Sequence, residues 1–338
     1  MNEHDYALII GFTDYDPSRM GLNTLAGPAN DMAAIREWLE DASGGDVPPA
    51  NIETIPSEPG LQPCQYSIDD KLLSLVTLAD RNSGDDARRF YFFYCGHGQT
   101  DSLGDREDTA LCLPSWTKVK RHRALSSHEY AEYLRTRTSF SETWMFLDCC
   151  RVKEVRAEGF RPTIDSSRIK NTTSESFTAF AASALSQAFE DVNAAEPQGH
   201  FTKVLIAGLR GGAMNKQGKV TIESLKSYMN SELPVVSSQQ PQFLSGFNQA
   251  ESDVVIVDLS ASAPAGTVNV TLSAGLTAPV QLQDSNFATL GKYGANDIPG
   301  QHSARLAPGL YSLISGNHPP QEANFRISQD GETVDVTF

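Results

Sequence analysis

The sequence predicts an α/β domain built on a mainly parallel sheet flanked by helices, followed by a small all-β sandwich. Short, continuous apolar runs recur between amphipathic stretches, the pattern of parallel strands buried on both faces. Two of these runs stop abruptly at reactive side chains. Residues 89–98 read Arg-Phe-Tyr-Phe-Phe-Tyr-Cys-Gly-His-Gly, and residues 143–151 read Thr-Trp-Met-Phe-Leu-Asp-Cys-Cys-Arg. Beyond residues 260–266, Ser-Ala-Ser-Ala-Pro-Ala-Gly, apolar and polar residues alternate in short runs, which is the period of half-buried strands.

Tyr6–Gly11 is the first strand. Residues 29–39 form an amphipathic helix, with Pro28 near its start and Met32, Ile35, Trp38 and Leu39 on one face. Residues 51–55 give a second strand, and 67–78 a helix with Ile68, Leu72, Leu75 and Val76 on one side. Arg89–Cys95 is the third strand. A polar loop over 99–108 carries Asp101, Asp105, Glu107 and Asp108. Residues 110–113 are strand-like, 126–134 a helix capped by Ser126 or Ser127, and 143–149 the next strand. Residues 152–176 lack apolar periodicity and hold Lys153, Arg156, Arg161, Arg168 and Lys170, so they read as an unusually long loop of functional character. A strand over 177–182, a helix over 201–209 stopped by Gly211-Gly212, a helix over 220–229 capped by Thr221 and a strand over 253–259 follow. Strand and helix alternate throughout, which argues for right-handed parallel crossovers. After the linker, runs at 268–272, 280–282, 310–314, 325–327 and 334–338 make the sandwich, with His302 and His318 in loop-like stretches. The expected division is 1–259, a linker over 260–266, and 267–338. Within the first part, 1–151 and 177–259 flank the connecting segment 152–176.

With 338 residues, 40% hydrophobic and 20% charged, the chain is long enough for a large α/β unit plus a smaller module. A net charge of −15 leaves no basic stripe for nucleic-acid phosphates. The five cysteines, Cys64, Cys95, Cys112, Cys149 and Cys150, are odd in number and two are adjacent. That is poor material for a disulfide framework and fits a reducing compartment. The start lacks the basic and apolar features of a signal peptide, and no run is long enough for a membrane span. A cytoplasmic protein is expected, with neither nucleic acid nor membrane as partner.

In an open α/β sheet, chemistry sits outside the carboxyl ends of the strands. A thiol at one tip and an imidazole at another point to a nucleophile with its base. His97 in Cys-Gly-His-Gly and Cys150 in Asp-Cys-Cys-Arg are 53 residues apart. This resembles the caspase-like cysteine peptidases, which place a His about 50 residues before a Cys-centred signature. The variant is closer to metacaspases and bacterial caspase-like peptidases. Asp148, Cys149 and Val152 stand where animal caspases have the Gln, Ala and Gly of Gln-Ala-Cys-Arg-Gly. The resemblance continues in Leu25-Ala-Gly-Pro-Ala-Asn-Asp31, in Ala181-Ala-Ser-Ala and in the stretch from His200 to Arg210. It covers residues 5–258.

The resemblance implies that Cys150 is the nucleophile, His97 the general acid/base, and the Gly98 and Cys150 amides the oxyanion hole. Cys149 reads as core packing, because side chains alternate along a strand. By the same resemblance Asp148 and Asp31 line the primary pocket and select Arg or Lys before the scissile bond. Asp31 also fits a plain helix-start residue. The run from Asp101 through Asp105 to Asp108 resembles a metacaspase acidic run that could hold Ca²⁺, or it is a solvated loop; no other cofactor is implied. The implied enzyme is an endopeptidase acting on protein or peptide substrates. It would cut itself within 152–176 and act in bacterial cell death or antiphage defence. The competing reading is a catalytically silent caspase-like scaffold whose β-domain binds a regulatory partner or substrate. A nucleotide-binding domain is disfavoured, since no phosphate-cradling glycine loop follows the first strand.

Overall fold

Continuous apolar runs build the central sheet. The structure, a computed structural model, describes residues 2–15, 21–57, 63–100, 108–153, 159–164, 174–183, 186–191, 194–260, 266–284, 289–306, 309–327 and 332–338. The chain forms two units, Met1–Leu259 and Ser260–Phe338. The first opens with β1 (Tyr6–Gly11), α1 (Pro28–Glu40), β2 (Ile52–Pro56), α2 (Gln65–Asn82) and β3 (Arg89–Cys95). Three short strands follow, β4 (Gly98–Thr100), β5 (Ala110–Cys112) and β6 (Ala124–Ser126), then α3 (Ser127–Arg137), β7 (Glu142–Asp148), β8 (Val152–Lys153) and β9 (Glu175–Phe180). The unit closes with α4 (His200–Ala207), β10 (Lys219–Thr221), α5 (Ile222–Val236), β11 (Gln242–Ser245) and β12 (Val255–Asp258).

Six strands make one sheet in the order β11-β9-β7-β3-β1-β2. All neighbours are parallel except β11, which joins the edge antiparallel to β9. Side chains alternate across it, as strand geometry requires. On β3, Tyr91, Phe93 and Cys95 pack under α1, α4 and α5, while Phe90, Phe92 and Tyr94 pack under α2 and α3. All seven β3 residues are buried, and each large side chain so buried contributes about 1.5–3 kcal/mol. On β7, Trp144 and Phe146 face the first layer, and Met145, Leu147 and Cys149 the second. Asp148 therefore follows Phe146 onto the α1/α4 side. Register finishes the arrangement: Cys95 pairs with Asp148 across β3 and β7, so the two chains leave the sheet side by side.

The opposite rim is held by charge. Arg89 donates to Glu142 at 2.7 Å and to the carbonyls of Val255 at 2.6 Å and Ile256 at 2.8 Å. These bonds tie the β12 segment to the sheet. The β12 strand itself pairs with β10 in a separate two-stranded ladder.

The helices run longer than periodicity alone predicts. Helix α2 extends over Gln65–Asn82 and α5 passes through Pro234 to Val236. The segment predicted to open the 220–229 helix is instead strand β10 up to Thr221, whose hydroxyl then caps α5 in a reciprocal pair with Ser224. Ser126 is the cap of α3. The loop predicted over 99–108 begins as β4, part of a small sheet β6-β5-β4-β8. The connecting segment also departs from a plain loop, since Val152–Lys153 is strand and β9 already begins at Glu175. Its middle is docked. Phe160 exchanges backbone bonds with Ala124 and Ser126 at 2.8 and 2.9 Å, and Thr163 donates its N–H and hydroxyl to Asp69 at 2.8 and 2.6 Å.

The second unit has a three-stranded sheet and a four-stranded sheet sharing one apolar core. Its strands are β13 (Gly266–Leu272), β14 (Val280–Asp284), β15 (Thr289–Tyr293), β16 (Gly300–Leu306), β17 (Gly309–Ile314), β18 (Glu322–Ile327) and β19 (Thr333–Thr337). β15 and β16 were not foreseen. His302 accordingly lies on β16, not in a loop, with its ring 4.7 Å from that of Tyr293.

Candidate active site

Two residues past the paired ends of β3 and β7 stand His97 and Cys150. Both line one pocket of about 120 Å³, together with Asp31, Asp148, Ala188, Phe189, Glu190 and Gly199. The turn that carries the imidazole is fixed at its backbone. The His97 N–H donates to Tyr15 Oη at 3.0 Å, and its carbonyl accepts from Tyr94 Oη at 2.7 Å and from Cys112 N at 2.9 Å. Gly98 lies flat against Cys149 and Cys150. A Cβ there would stand 2.5 Å from Cys149 Sγ and 2.6 Å from the Cys150 carbonyl oxygen. Only glycine permits that approach.

The imidazole has a partner the sequence does not reveal. His97 Nε2 is 2.8 Å from the carbonyl oxygen of Asn23. A carbonyl only accepts, so Nε2 carries the hydrogen and Nδ1 keeps its lone pair. Burial lowers the His97 pKa, opposed by the Asn23 carbonyl and the Glu190 charge.

Cys150 is partly buried, and its sulfur lies on the backbone of Ala188, 3.3 Å from the N–H and 3.5 Å from the carbonyl oxygen. Burial pushes the thiol up, and Asp148 adds to this, while the Ala188 N–H works against it. Both directions favour a thiol beside a neutral imidazole over an ion pair. Cys149 packs its side chain in the α2/α3 core.

Three carboxylates converge beside the thiol. Asp31 and Asp148 are 2% and 8% exposed, a costly placement for charge. The N-terminus of α4 supports both. The Gly199 N–H donates to Asp31 at 3.0 Å, while Thr202 donates its hydroxyl at 2.7 Å and its N–H at 3.1 Å to Asp148. Asp31 lies in the first turn of α1, yet its carboxylate serves Gly199 across the cleft. Burial raises both acids above the ordinary carboxylate range; Asp148 and Glu190 push Asp31 further, and Glu190 pushes Asp148. Gly199 has no room for a side chain, since a Cβ would fall 2.1 Å from Asp148 Oδ2. Glu190, Gly199, Thr202, Ala188 and Asn23 are the site residues sequence reasoning missed. The one available signal was the glycine just ahead of the 201–209 helix.

Of the proposed calcium ligands, Asp101 and Asp105 lie outside the described residues. The Asp108 carboxylate accepts from Ser126 Oγ at 2.7 Å, Ser127 Oγ at 3.1 Å and His128 N at 3.0 Å, so it is committed to the start of α3. Among the described residues no group of three or more His, Cys, Asp or Glu is placed to hold a metal ion. Nor is any described helix long and apolar enough to cross a membrane.

Residues 4–250 match the caspase domain of the Peptidase C14 family. A curated relative named "Probable protease", from a Desulfuromonadales bacterium, is 28% identical over 218 residues, which span 61% of this chain and 26% of that protein. Among solved structures, a Geobacter sulfurreducens protein aligns at 13% identity and a TM-score of 0.48, covering 74% of this chain and 96% of that one. Caspase-1 of Spodoptera frugiperda aligns at 12% identity and a TM-score of 0.44, covering 73% and 88%. The family match spans both strand tips and the acidic pocket between them: the chain belongs to the caspase-domain peptidase family.

Proposed function

We propose that the protein is a cysteine endopeptidase that cleaves after Arg or Lys. One observation carries the reading: the thiol of Cys150, the imidazole of His97 and the carboxylates of Asp31, Asp148 and Glu190 share one pocket. A guanidinium or ammonium entering it would pair with three crowded carboxyl groups and favour their ionised forms.

The chemistry follows from the resting state. His97 Nδ1 takes the Cys150 proton as the sulfur attacks the peptide carbonyl carbon, since neither group is charged beforehand. The Gly98 and Cys150 N–H groups receive the oxyanion, a contribution of about 3 kcal/mol per donor in comparable sites. The C–N bond breaks, the imidazolium gives its proton to the departing amine, and a thioester remains. Water, deprotonated by the same imidazole, hydrolyses it and returns the thiol. The Asn23 carbonyl stabilises the imidazolium that forms midway. For the sulfur to reach the substrate, its contact with Ala188 must open.

Self-cleavage within 152–176 and a role in cell death or antiphage defence belong to the same proposal, with the second unit as the end that meets a partner. The test is a panel of reporter peptides carrying Arg, Lys or Asp before the scissile bond, with Cys150→Ala as control. Cleavage after Arg and Lys that vanishes in the control is expected. Cleavage after Asp, with Arg and Lys peptides untouched, refutes it.

A further inference from the structure

We propose that Glu190 is a positioning residue that couples occupation of the acidic pocket to the orientation of His97. The inference rests on the assignment of Cys150 and His97 as the reacting pair, and goes beyond a role for Glu190 as a counter-charge. Its carboxylate is not free in the pocket. Oε2 accepts the N–H of Gly27 at 2.8 Å and of Ala26 at 3.1 Å, and Oε1 lies 3.2 Å from the Ala26 nitrogen. These two amides end the loop that leads into α1. Three residues before Ala26, the same loop presents the Asn23 carbonyl to His97 Nε2 at 2.8 Å. A short tether thus runs from pocket acid to imidazole.

Glu190 is also fixed to the other side of the cleft. It bridges Gly199, and its neighbours Phe189 and Asp191 bond His200 and Gln198 at 3.0 and 2.9 Å. Two residues earlier Ala188 holds the Cys150 sulfur. One short segment therefore touches the thiol, and through Glu190 the loop that orients its base. Asp31 and Asp148 both face the Glu190 charge. The Ala26 and Gly27 bonds are made in the empty pocket, and a cation bound among the three acids would hold the Glu190 carboxylate there, and with it the Asn23 carbonyl on the ring.

The test uses a reagent that needs no pocket cation. Cys150 is alkylated with iodoacetamide at neutral pH and followed by mass spectrometry of its peptide, in the full chain. His97→Ala sets the rate without the base. Glu190→Ala is expected to slow alkylation on the order of tenfold, part of the range a misplaced general base forfeits. Glu190→Gln keeps one oxygen able to accept both amides and is expected to restore most of that rate. Both variants raise KM for Arg peptides. Glu190→Met, similar in length and without an acceptor oxygen, replaces the alanine variant if that one does not fold. Alkylation at the wild-type rate in the alanine or methionine variant makes Glu190 a counter-charge only and overturns the proposal. Equal slowing in the glutamine variant overturns it too, because charge and not the tether would then be responsible. Should no Arg or Lys peptide be cut while the alkylation pattern holds, the specificity reading falls and the positioning of His97 by Glu190 stands.

Discussion

Thr202→Val removes one hydroxyl from behind the pocket acids, together with its 3.9 Å contact to Cys95 Sγ. That hydroxyl donates to Asp148 at 2.7 Å, beside the residue's own N–H at 3.1 Å. Asp148 is only 8% exposed, so water does not readily replace the lost donor. A hydrogen bond to an ionised group contributes about 1.5–3 kcal/mol, and about 1.4 kcal/mol corresponds to one pH unit of titration. Burial already holds this carboxyl above its ordinary range, with the two Thr202 bonds opposing the rise. Losing one of them moves its titration up by a further one to two pH units, roughly. The pocket attracts a cation only while the acid is ionised, so cleavage of an Arg peptide fails as pH falls through that titration. In the variant the failure begins at higher pH. The assay is kcat/KM against pH on an Arg reporter, with a neutral-pH loss of about tenfold expected mainly in KM. A folded variant whose acid limb stays where the wild type has it would show that Asp148 is not the group that meets the substrate's charge.

Asp31→Asn is expected to raise Tm at neutral pH by a few degrees, roughly, while Arg-peptide cleavage falls. The folded-state titration of Asp31 lies above its unfolded one through burial and the charges of Asp148 and Glu190, so its contribution favours the fold at low pH and is lost as pH rises. A lowered Tm in scanning calorimetry contradicts this. Gly199→Ala places a Cβ 2.1 Å from Asp148 Oδ2 and 3.2 Å from Asp31 Oδ2, and kcat/KM on Arg peptides should drop about 10- to 100-fold, the equivalent of an overpacking cost of 1–3 kcal/mol. Wild-type cleavage would mean that the basic residue binds elsewhere. Finally, self-cleavage should spare Arg161, whose carbonyl accepts from Gln65 Nε2 at 2.6 Å and which precedes Pro162 and the Thr163–Asp69 bonds. A fragment ending at Arg161 in mass spectra of active protein, absent with Cys150→Ala, counts against that.

The strands that carry the chemistry were legible because burial on both faces forces a continuous apolar run, as in β1, β3 and β7. A run that ends in Gly-His-Gly or Asp-Cys-Cys-Arg advertises its tip. β11 was not legible. Gln-Phe-Leu-Ser is a four-residue edge strand with its side chains half-buried or exposed, and such a strand needs no apolar pattern. β4, β6 and β10, at three residues each, are too short to show a period, whereas β5 was read from the apolar residues 110–113. Asn23 acts through a carbonyl oxygen, a group every residue has, so no side-chain code can mark it. Glu190 sits in a polar stretch where an acid is ordinary. Its meaning arises only when residues 188–190 fold back against Gly199.

The pocket gathers Asp148 from the end of β7, Asp31 from the first turn of α1 and Glu190 from the segment before α4. Strand alternation decides that Asp148 turns toward α4 while Cys149 turns away, so a shift of one residue in β7 would bury the acid among the tyrosines of the opposite layer. The same register sets Cys95 level with Asp148 and thereby brings the imidazole and the thiol to one rim. A folding requirement and a chemical one are met by the same pairing. Nothing in sheet packing, however, asks for three acids in one small cavity. Their mutual repulsion lowers stability, and the donors of Gly199 and Thr202 only partly offset it. The entry of a basic side chain, as proposed above, would offset that repulsion.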